Sequence, residues 1–438
     1  MFCDMEGKIK VVWLCNFSDE KTRSHIKFSH FYFKNLISYM FLRPAPKRVD
    51  YGVWVSNAIK EFENFQDIDL TVIFPYTGIK GKSQFFDING VHYVCYRTEE
   101  DNFIDYIRRK YFGFVKINWD ENRKVIKDYI SQISPDIIHV IGAENPYYSS
   151  AALDIPNNIP SVLSLQTLLS DPNFINKYPM SQRMYDYRSA LEREIIKKCN
   201  YIASPVVVFN RIIKRQIMQN AVFLNMPLAV GEDIDISFDK KEYDFVYFAA
   251  NINKACDVAI EAFAIAAKQD GTLTLNVSGL YDTAYKSKID ARINELGIAD
   301  KVFFSGSQAT HDDVLRQIKK SRFALLPLKI DLISGTIREA MACGLPVVTT
   351  VTPVTPSLNA DRESVLLSEL GDYESMANNM LKLVQDQDYA TLIMNNGIKT
   401  VSERYGNKEN MQKWHNGYYE IVDHFKEGKS FSSNLLVK

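Results

Sequence analysis

The sequence is poor in everything that marks a secreted, metal-bound or membrane-spanning chain. Its six cysteines, Cys3, Cys15, Cys95, Cys199, Cys256 and Cys343, form no CxxC pair and have no histidine at metal-ligand spacing. That pattern argues against a zinc site and for a reducing compartment. No apolar run approaches the length of a membrane span. MFCDMEGKIK at the N-terminus leads only into a short apolar strand, far below the apolar core of a signal peptide. A cytoplasmic location is therefore expected. Charge of one sign is lacking as well: 52 Lys and Arg against 53 Asp and Glu leave a formal charge of −1. No nucleic-acid partner is expected, and any anionic ligand must be met by a local patch. There is no repeat at solenoid period and no low-complexity segment.

What is present is 438 residues of ordinary globular composition, 46% hydrophobic and 24% charged, too long for one core. Apolar runs such as IKVVWLCNF, LTVIFPY, GVHYVCYR, PDIIHVIG and IPSVLSL read as strands, and segments of helical period alternate with them. Such alternation predicts parallel sheets with helices on both faces. An acidic, turn-rich stretch from Met226 to Asp244 interrupts it and reads as a linker, after which a second alternating set begins.

Two stretches stand out. From Lys21 to Val49 the chain carries Lys21, Arg23, Lys27, Lys34, Arg43, Lys47 and Arg48 with no acid, interleaved with Phe28, Phe31, Tyr32, Phe33, Tyr39 and Phe41. The segment reads either as a contact for anionic lipid on the inner face of a membrane or as a long loop whose aromatics pack on the domain. The second is DLISGTIREAMACGLPVVTT, Asp331 to Thr350, which follows the strand FALLPL. Ser334 suits an N-cap, Ile337, Ala340 and Met341 share a face, and Gly344 stops the helix before a further strand. A strand, loop, helix, strand unit of this kind presents its helix N-terminus to anions at the carboxyl end of a sheet. Asp331 and Glu339 frame it, with Glu339 turned away from the apolar face.

This second stretch resembles the motif of retaining, nucleotide-sugar-dependent glycosyltransferases of the GT-B fold, in the family 4 type that contains sucrose synthases and bacterial mannosyltransferases. Their pattern is an acid, seven residues, then Glu running into EAMACGxPVV; here it reads D-LISGTIR-E followed by AMACGLPVV, with Asp331 in the first place. NKACD, LGIADKVFFSG, FALLPL and ESVLLSELGD follow the family's other motifs in order, from Tyr243 to Tyr405. The resemblance implies two Rossmann-like domains whose parallel sheets face each other across a cleft. Residues 1–230 would bind the acceptor and 240–408 the nucleotide sugar, while 409–438 would hold a helix crossing back to the first domain, plus a tail.

The same resemblance implies roles. Asp331 would contact hydroxyls of the donor sugar and Glu339 the ribose, while amides at Ser334, Gly335 and Thr336 would cradle the diphosphate. Lys254 would stabilise charge on the leaving group. Asn251 stands near the place where the family carries an arginine, and Gln166 replaces a frequent active-site histidine. Gln166 can still hydrogen-bond a hydroxyl or phosphate but carries no charge. Gly52 is the remaining glycine where the family has a glycine-rich loop, and Glu144 lies on the expected acceptor side, where it also reads as a loop cap. The implied reaction transfers a hexose or related sugar to a growing polysaccharide or a lipid-linked oligosaccharide. No cofactor and no metal are expected, because protein groups neutralise the diphosphate and no DxD pair is present. The losses at Asn251 and Gln166 keep open a degenerate nucleotide-sugar-binding partner or regulator. A nucleotide-sugar epimerase lacks the paired carboxylates and histidine it would need in the first domain.

Overall fold

The computed structural model describes residues 7–29, 32–40, 48–117, 119–171, 180–204, 206–228, 240–249, 254–279, 283–329 and 335–437. Two units emerge: Met1–Ala229 with Asn407–Lys438, and Val230–Gly406.

The first unit runs β1 (Ile9–Leu14), α1 (Glu20–His25), α2 (Phe33–Met40), α3 (Val53–Phe62), β2 (Ile68–Pro75), β3 (Ser83–Ile88), β4 (Val91–Tyr96), α4 (Phe103–Phe112) and α5 (Asp120–Ile133). It continues with β5 (Ile137–Ile141), α6 (Pro146–Ser149), β6 (Ser161–Ser164), α7 (Gln182–Lys198), β7 (Tyr201–Ala203), α8 (Val207–Gln216) and β8 (Phe223–Leu224). Among the described residues these strands form one sheet in the order β3-β4-β2-β1-β5-β6-β7-β8. Val11, Trp13, Val72 and Ile138 are buried, as expected where helices cover both faces.

The alternation of strands and helices predicts a sheet parallel throughout, and the edge departs from it. β3 pairs antiparallel with β4. Asn89 and Gly90, with φ of 51° and 81°, make the tight turn between them. An Asn-Gly pair between apolar runs favours this hairpin because both central residues tolerate positive φ.

The second unit comprises β9 (Tyr243–Ala249), α9 (Cys256–Gln269), β10 (Leu275–Gly279), α10 (Thr283–Leu296), β11 (Val302–Gly306), α11 (His311–Lys319), β12 (Ser321–Leu326) and α12 (Gly335–Ala342). It closes with β13 (Val347–Thr350), β14 (Leu366–Ser368), α13 (Tyr373–Gln385) and α14 (Gln387–Tyr405). Its described strands are all parallel, in the order β11-β10-β9-β12-β13-β14. The chain moves outward from β9 to β11, then returns to the other side of β9 as β12. That reversal opens a crevice at the carboxyl ends of β9 and β12, the place where such sheets bind ligands.

The last helix, α15 (Asn407–Glu427), belongs to the first unit. Trp414, Tyr418 and Ile421 enter the core around Trp13. Trp13 Nε1 donates to the Tyr418 hydroxyl at 2.8 Å, and that hydroxyl lies 2.7 Å from His139 Nδ1. His139 Nε2 meets Ser164 Oγ at 2.7 Å. Burial lowers the His139 pKa to about 3, so the ring is neutral and both its nitrogens are satisfied inside the core.

Candidate functional site

In the second unit, helix α12 begins at Gly335 and buries Ile337, Ala340 and Met341 against Leu326 and Leu328 of the preceding strand and its extension. It ends where Gly344 takes φ 72° and Leu345 N bonds back to Ala340 O at 2.9 Å. This packing fixes the rotation of the helix and so the direction of Glu339, whose side chain is 12% exposed. Its Oε1 lies 3.9 Å from the position a Cβ on Gly335 would take, so the carboxylate lies back toward the first turn of α12.

Two basic side chains share that corner. Glu339 Oε1 lies 3.6 Å from Nε2 of His311, the first residue of α11. Burial raises the Glu339 pKa above the usual carboxylate range, and the charges of His311 and Lys254 act against that rise. Lys254 follows β9 directly before Ala255, which is buried and held at φ 53°. A non-glycine residue in the left-handed region costs on the order of 1 kcal/mol. The turn at Ala255 redirects the chain between Lys254 and α9. Lys329, beyond the end of β12, pairs with Asp257 Oδ2 in the first turn of α9 at 2.6 Å.

Of the residues the sequence nominates in this unit, Glu339, Lys254, Gly335 and Thr336 are described. The structure brings Glu339, Lys254 and Gly335 to one corner. Asp331, Ser334 and Asn251 lie outside the described residues. Sequence reasoning missed His311 and Lys329. The signal for both was position: Lys329 stands just beyond the carboxyl end of β12, which flanks the reversal, and His311 opens the helix that follows the edge strand β11. Among the described residues no three His, Cys, Asp or Glu side chains form a metal-holding group.

In the first unit the strand order reverses between β1 and β5. Gly52 caps α3 there at φ 63°, and a Cβ on it would stand 2.7 Å from Asn16 O. Glycine is required both by the backbone and by the close approach to the end of β1. Beside it, at the end of β5, Gly142 takes φ 91°. Its missing Cβ leaves a spot 2.7 Å from Gln166 Nε2, from Glu144 Oε2 and from the Tyr148 hydroxyl. Glu144 Oε1 accepts from Asn145 Nδ2 at 3.1 Å, while buried Oε2 has no hydrogen-bond partner among the described residues. Burial raises the Glu144 pKa, and Arg188, whose guanidinium bonds the Glu144 carbonyl, opposes the shift. Gln166 and Glu144, both nominated from sequence, thus meet at one point, with Tyr148 as a partner the sequence did not suggest.

A pocket of about 400 Å³ opens at the carboxyl ends of β1, β2 and β4, lined among others by Asn16, Tyr32, Lys34, Arg48, Tyr76 and Tyr147. The basic segment contributes to it, and most of what is described of that segment is engaged within the unit. Lys21 pairs with Glu63 at 2.7 Å, Arg23 with Asp50 at 2.6 Å, and the Arg48 guanidinium sits 3.5 Å above the Phe28 ring.

Residues 232–400 match the family model described as Glycosyl transferases group 1. The N-acetyl-alpha-D-glucosaminyl L-malate synthase of Bacillus anthracis is 23% identical over 270 residues, which cover 60% of this chain and 68% of that protein. Sucrose-phosphate synthase from Thermosynechococcus elongatus superposes with a TM-score of 0.66 at 14% identity, over 94% of this chain and 99% of the other. Alr3699/HepE of Anabaena, in complex with UDP and glucose, gives 0.62 at 14% identity, again over 94% and 99%. The fold is GT-B. Within that fold the corner formed by Lys254, His311 and Glu339 belongs to the second α/β unit, and the spot above Gly142 to the first.

Proposed function

We propose that the protein is a retaining glycosyltransferase that moves a sugar from a nucleotide-diphosphate sugar to a polysaccharide or lipid-linked oligosaccharide acceptor. The observation that carries this reading is the convergence of Lys254, His311 and Glu339 on the N-terminus of α12, at the strand-order reversal of the second unit. A carboxylate held there accepts hydrogen bonds from the ribose hydroxyls. The amides of Gly335 and Thr336 and the ammonium of Lys254 take the diphosphate. Asp331 takes the sugar hydroxyls, and the Ser334 amide joins those of Gly335 and Thr336 on the diphosphate. The group 1 match over the same residues and the UDP-bound relative support a nucleotide donor.

In the transfer the bond from the sugar's anomeric carbon to the diphosphate oxygen breaks, and the acceptor hydroxyl oxygen bonds the same carbon from the same face. The acceptor's proton passes to the departing phosphate oxygen. Charge accumulates on that phosphate, where the amides and Lys254 lower the barrier by stabilising the transition state more than the ground state. No divalent ion is needed in this scheme. On the acceptor side, Gln166 and Glu144 offer a donor and an acceptor to one hydroxyl. The tyrosines and amides of the first-unit pocket suit a sugar ring, which has apolar faces and polar edges.

A thermal-shift panel of UDP, GDP, ADP and their sugars identifies the donor, since a ligand of the folded state raises Tm. Transfer from that donor is then followed by NMR of the product's anomeric proton, with and without EDTA. Retention of configuration at an undiminished rate in EDTA is expected. Tight binding with neither hydrolysis nor transfer would instead identify a binding protein.

A further inference from the structure

We propose that Arg188 and Glu192, one turn apart on α7, are positioning residues for transfer: each holds one of the two loops that carry Glu144 and Gln166, and together they set the point where an acceptor hydroxyl or water is met. The proposal rests on the glycosyltransferase reading above. Glu144 and Gln166 both lie beyond the strands that lead to them, β5 ending at Ile141 and β6 at Ser164. The last ladder bonds there, Gly142 N to Ser164 O at 2.8 Å and Leu165 N to Ala203 O at 3.2 Å, stop short of both residues.

Helix α7 supplies what the sheet does not. On the β5 side, Arg188 Nε donates to the Glu144 carbonyl oxygen at 2.7 Å, and Nη2 donates to the same oxygen and reaches Asn145 Oδ1 at 3.3 Å. On the β6 side, Glu192 Oε1 accepts from Leu169 N at 2.9 Å and Oε2 from Ser170 N at 2.7 Å. Ser170 Oγ adds a bond to Ser189 O at 3.2 Å on the same helix. Residues at i and i+4 share a helix face, so one turn of α7 grips both loops.

Two features separate this grip from ordinary packing. Glu192 is fully buried, where an apolar residue of similar size would fill the space without the desolvation cost of a carboxylate. What the carboxylate adds is a fixed geometry for two backbone amides. The second feature is charge. Two N–H donors aimed at separate oxygens suit an ionised carboxylate, which accepts at both, whereas protonation turns one oxygen into a donor facing a donor. Burial raises the Glu192 pKa to about 7, and the charge of Glu144 pushes the same way. The other titratable groups about this corner are Asp171 in the loop after β6 and Tyr185, Asp186, Arg188 and Arg193 on α7. The grip on the Gln166 loop therefore tightens as pH rises through neutrality.

The test is steady-state hydrolysis, by the full chain, of the UDP-, GDP- or ADP-sugar that gives the largest thermal shift, with water as the acceptor probe. The wild-type kcat should rise through about pH 7. E192Q sets an amide N–H against one of the two backbone N–H groups at every pH, so its kcat above about pH 8 should be about 10- to 100-fold lower and its profile should lose that rise. R188K keeps the charge but loses the forked donor pair, and should lower kcat about tenfold while keeping the rise. Donor KM and the nucleotide thermal shift should stay at wild-type values in both, a split that general loss of packing would not give. Hydrogen exchange of the wild type, corrected for its intrinsic pH dependence, should show protection of residues 165–171 increasing over the same range, which needs no variant.

A folded E192Q with the wild-type pH profile overturns the proposal, as does protection that ignores pH. So does a parallel loss of kcat, donor binding and Tm, which would make the contacts structural alone. A wild type that binds the donor but neither hydrolyses nor transfers it overturns the glycosyltransferase reading and this proposal with it, whereas an active wild type with unaltered variants overturns this proposal alone.

Discussion

Glu339 Oε1 stands 3.6 Å from His311 Nε2, a contact that joins the helix after β12 to the helix after β11 across the carboxyl end of one sheet. If this carboxylate holds the donor's ribose, Glu339→Gln keeps its shape and removes its charge. Hydrogen bonds to a charged group contribute about 1.5–3 kcal/mol, so KM for the donor should rise about 10- to 150-fold with kcat little changed. His311→Ala should move the same parameter in the same direction. Initial rates over a donor series, with Tm as the control for folding, check both.

Lys254 acts on charge that grows during reaction, so its loss should appear in kcat. Lys254→Met should lower kcat about 100- to 1,000-fold, the size found when one preorganised stabilising group is removed. An unchanged kcat in a folded variant would place Lys254 outside the site.

Gly142→Ala forces a Cβ to within 2.7 Å of Gln166 Nε2, Glu144 Oε2 and the Tyr148 hydroxyl, at a φ of 91° that alanine rarely adopts. Destabilisation of about 1–3 kcal/mol is expected, together with lower transfer because Gln166 and Glu144 are displaced. Denaturant unfolding gives the first quantity. Comparing transfer with donor binding isolates the second, since donor binding in the other unit should be retained.

Stability of the first unit should respond to pH through two buried groups of opposite sign. His139 is held neutral with its pKa lowered to about 3, so it contributes stability above its unfolded pKa of 6.5 that is lost as pH falls toward 3. Glu192 accepts Leu169 N at 2.9 Å and Ser170 N at 2.7 Å, and burial raises it to about 7. Its contribution is complete below 4.5 and is lost as pH rises through 7. Between about pH 4.5 and 6.5 the two slopes oppose each other. Glu192→Gln removes one of them, so the variant's stability should climb with pH across that window by about 1.4 kcal/mol per unit more than the wild type's. Urea titrations at successive pH values measure this slope independently of the variant's overall loss.

Much of the architecture was legible because it is local. Apolar runs bounded by polar residues became strands, and Gly344 stopped α12 where a helix-ending glycine was expected. The β3–β4 hairpin was missed although Asn89-Gly90 marked it, since the reading followed strand–helix alternation and passed over turn chemistry. His139 and Trp414, polar-tipped residues, are buried in the core of the first unit.

By itself the sequence determined which segments form strands and helices, and which helix N-terminus follows the strand FALLPL. It did so because side-chain period, caps and turn residues act over a few positions of chain. Only the tertiary structure decided that His311 faces Glu339, that Gln166, Glu144 and Tyr148 share the space left by Gly142, and that α4 turns Tyr111 and Phe112 outward. Those relations depend on strand order and on which helix face finds a covering neighbour. Strand order and covering are set by burial across the whole unit, and no short stretch of chain encodes either.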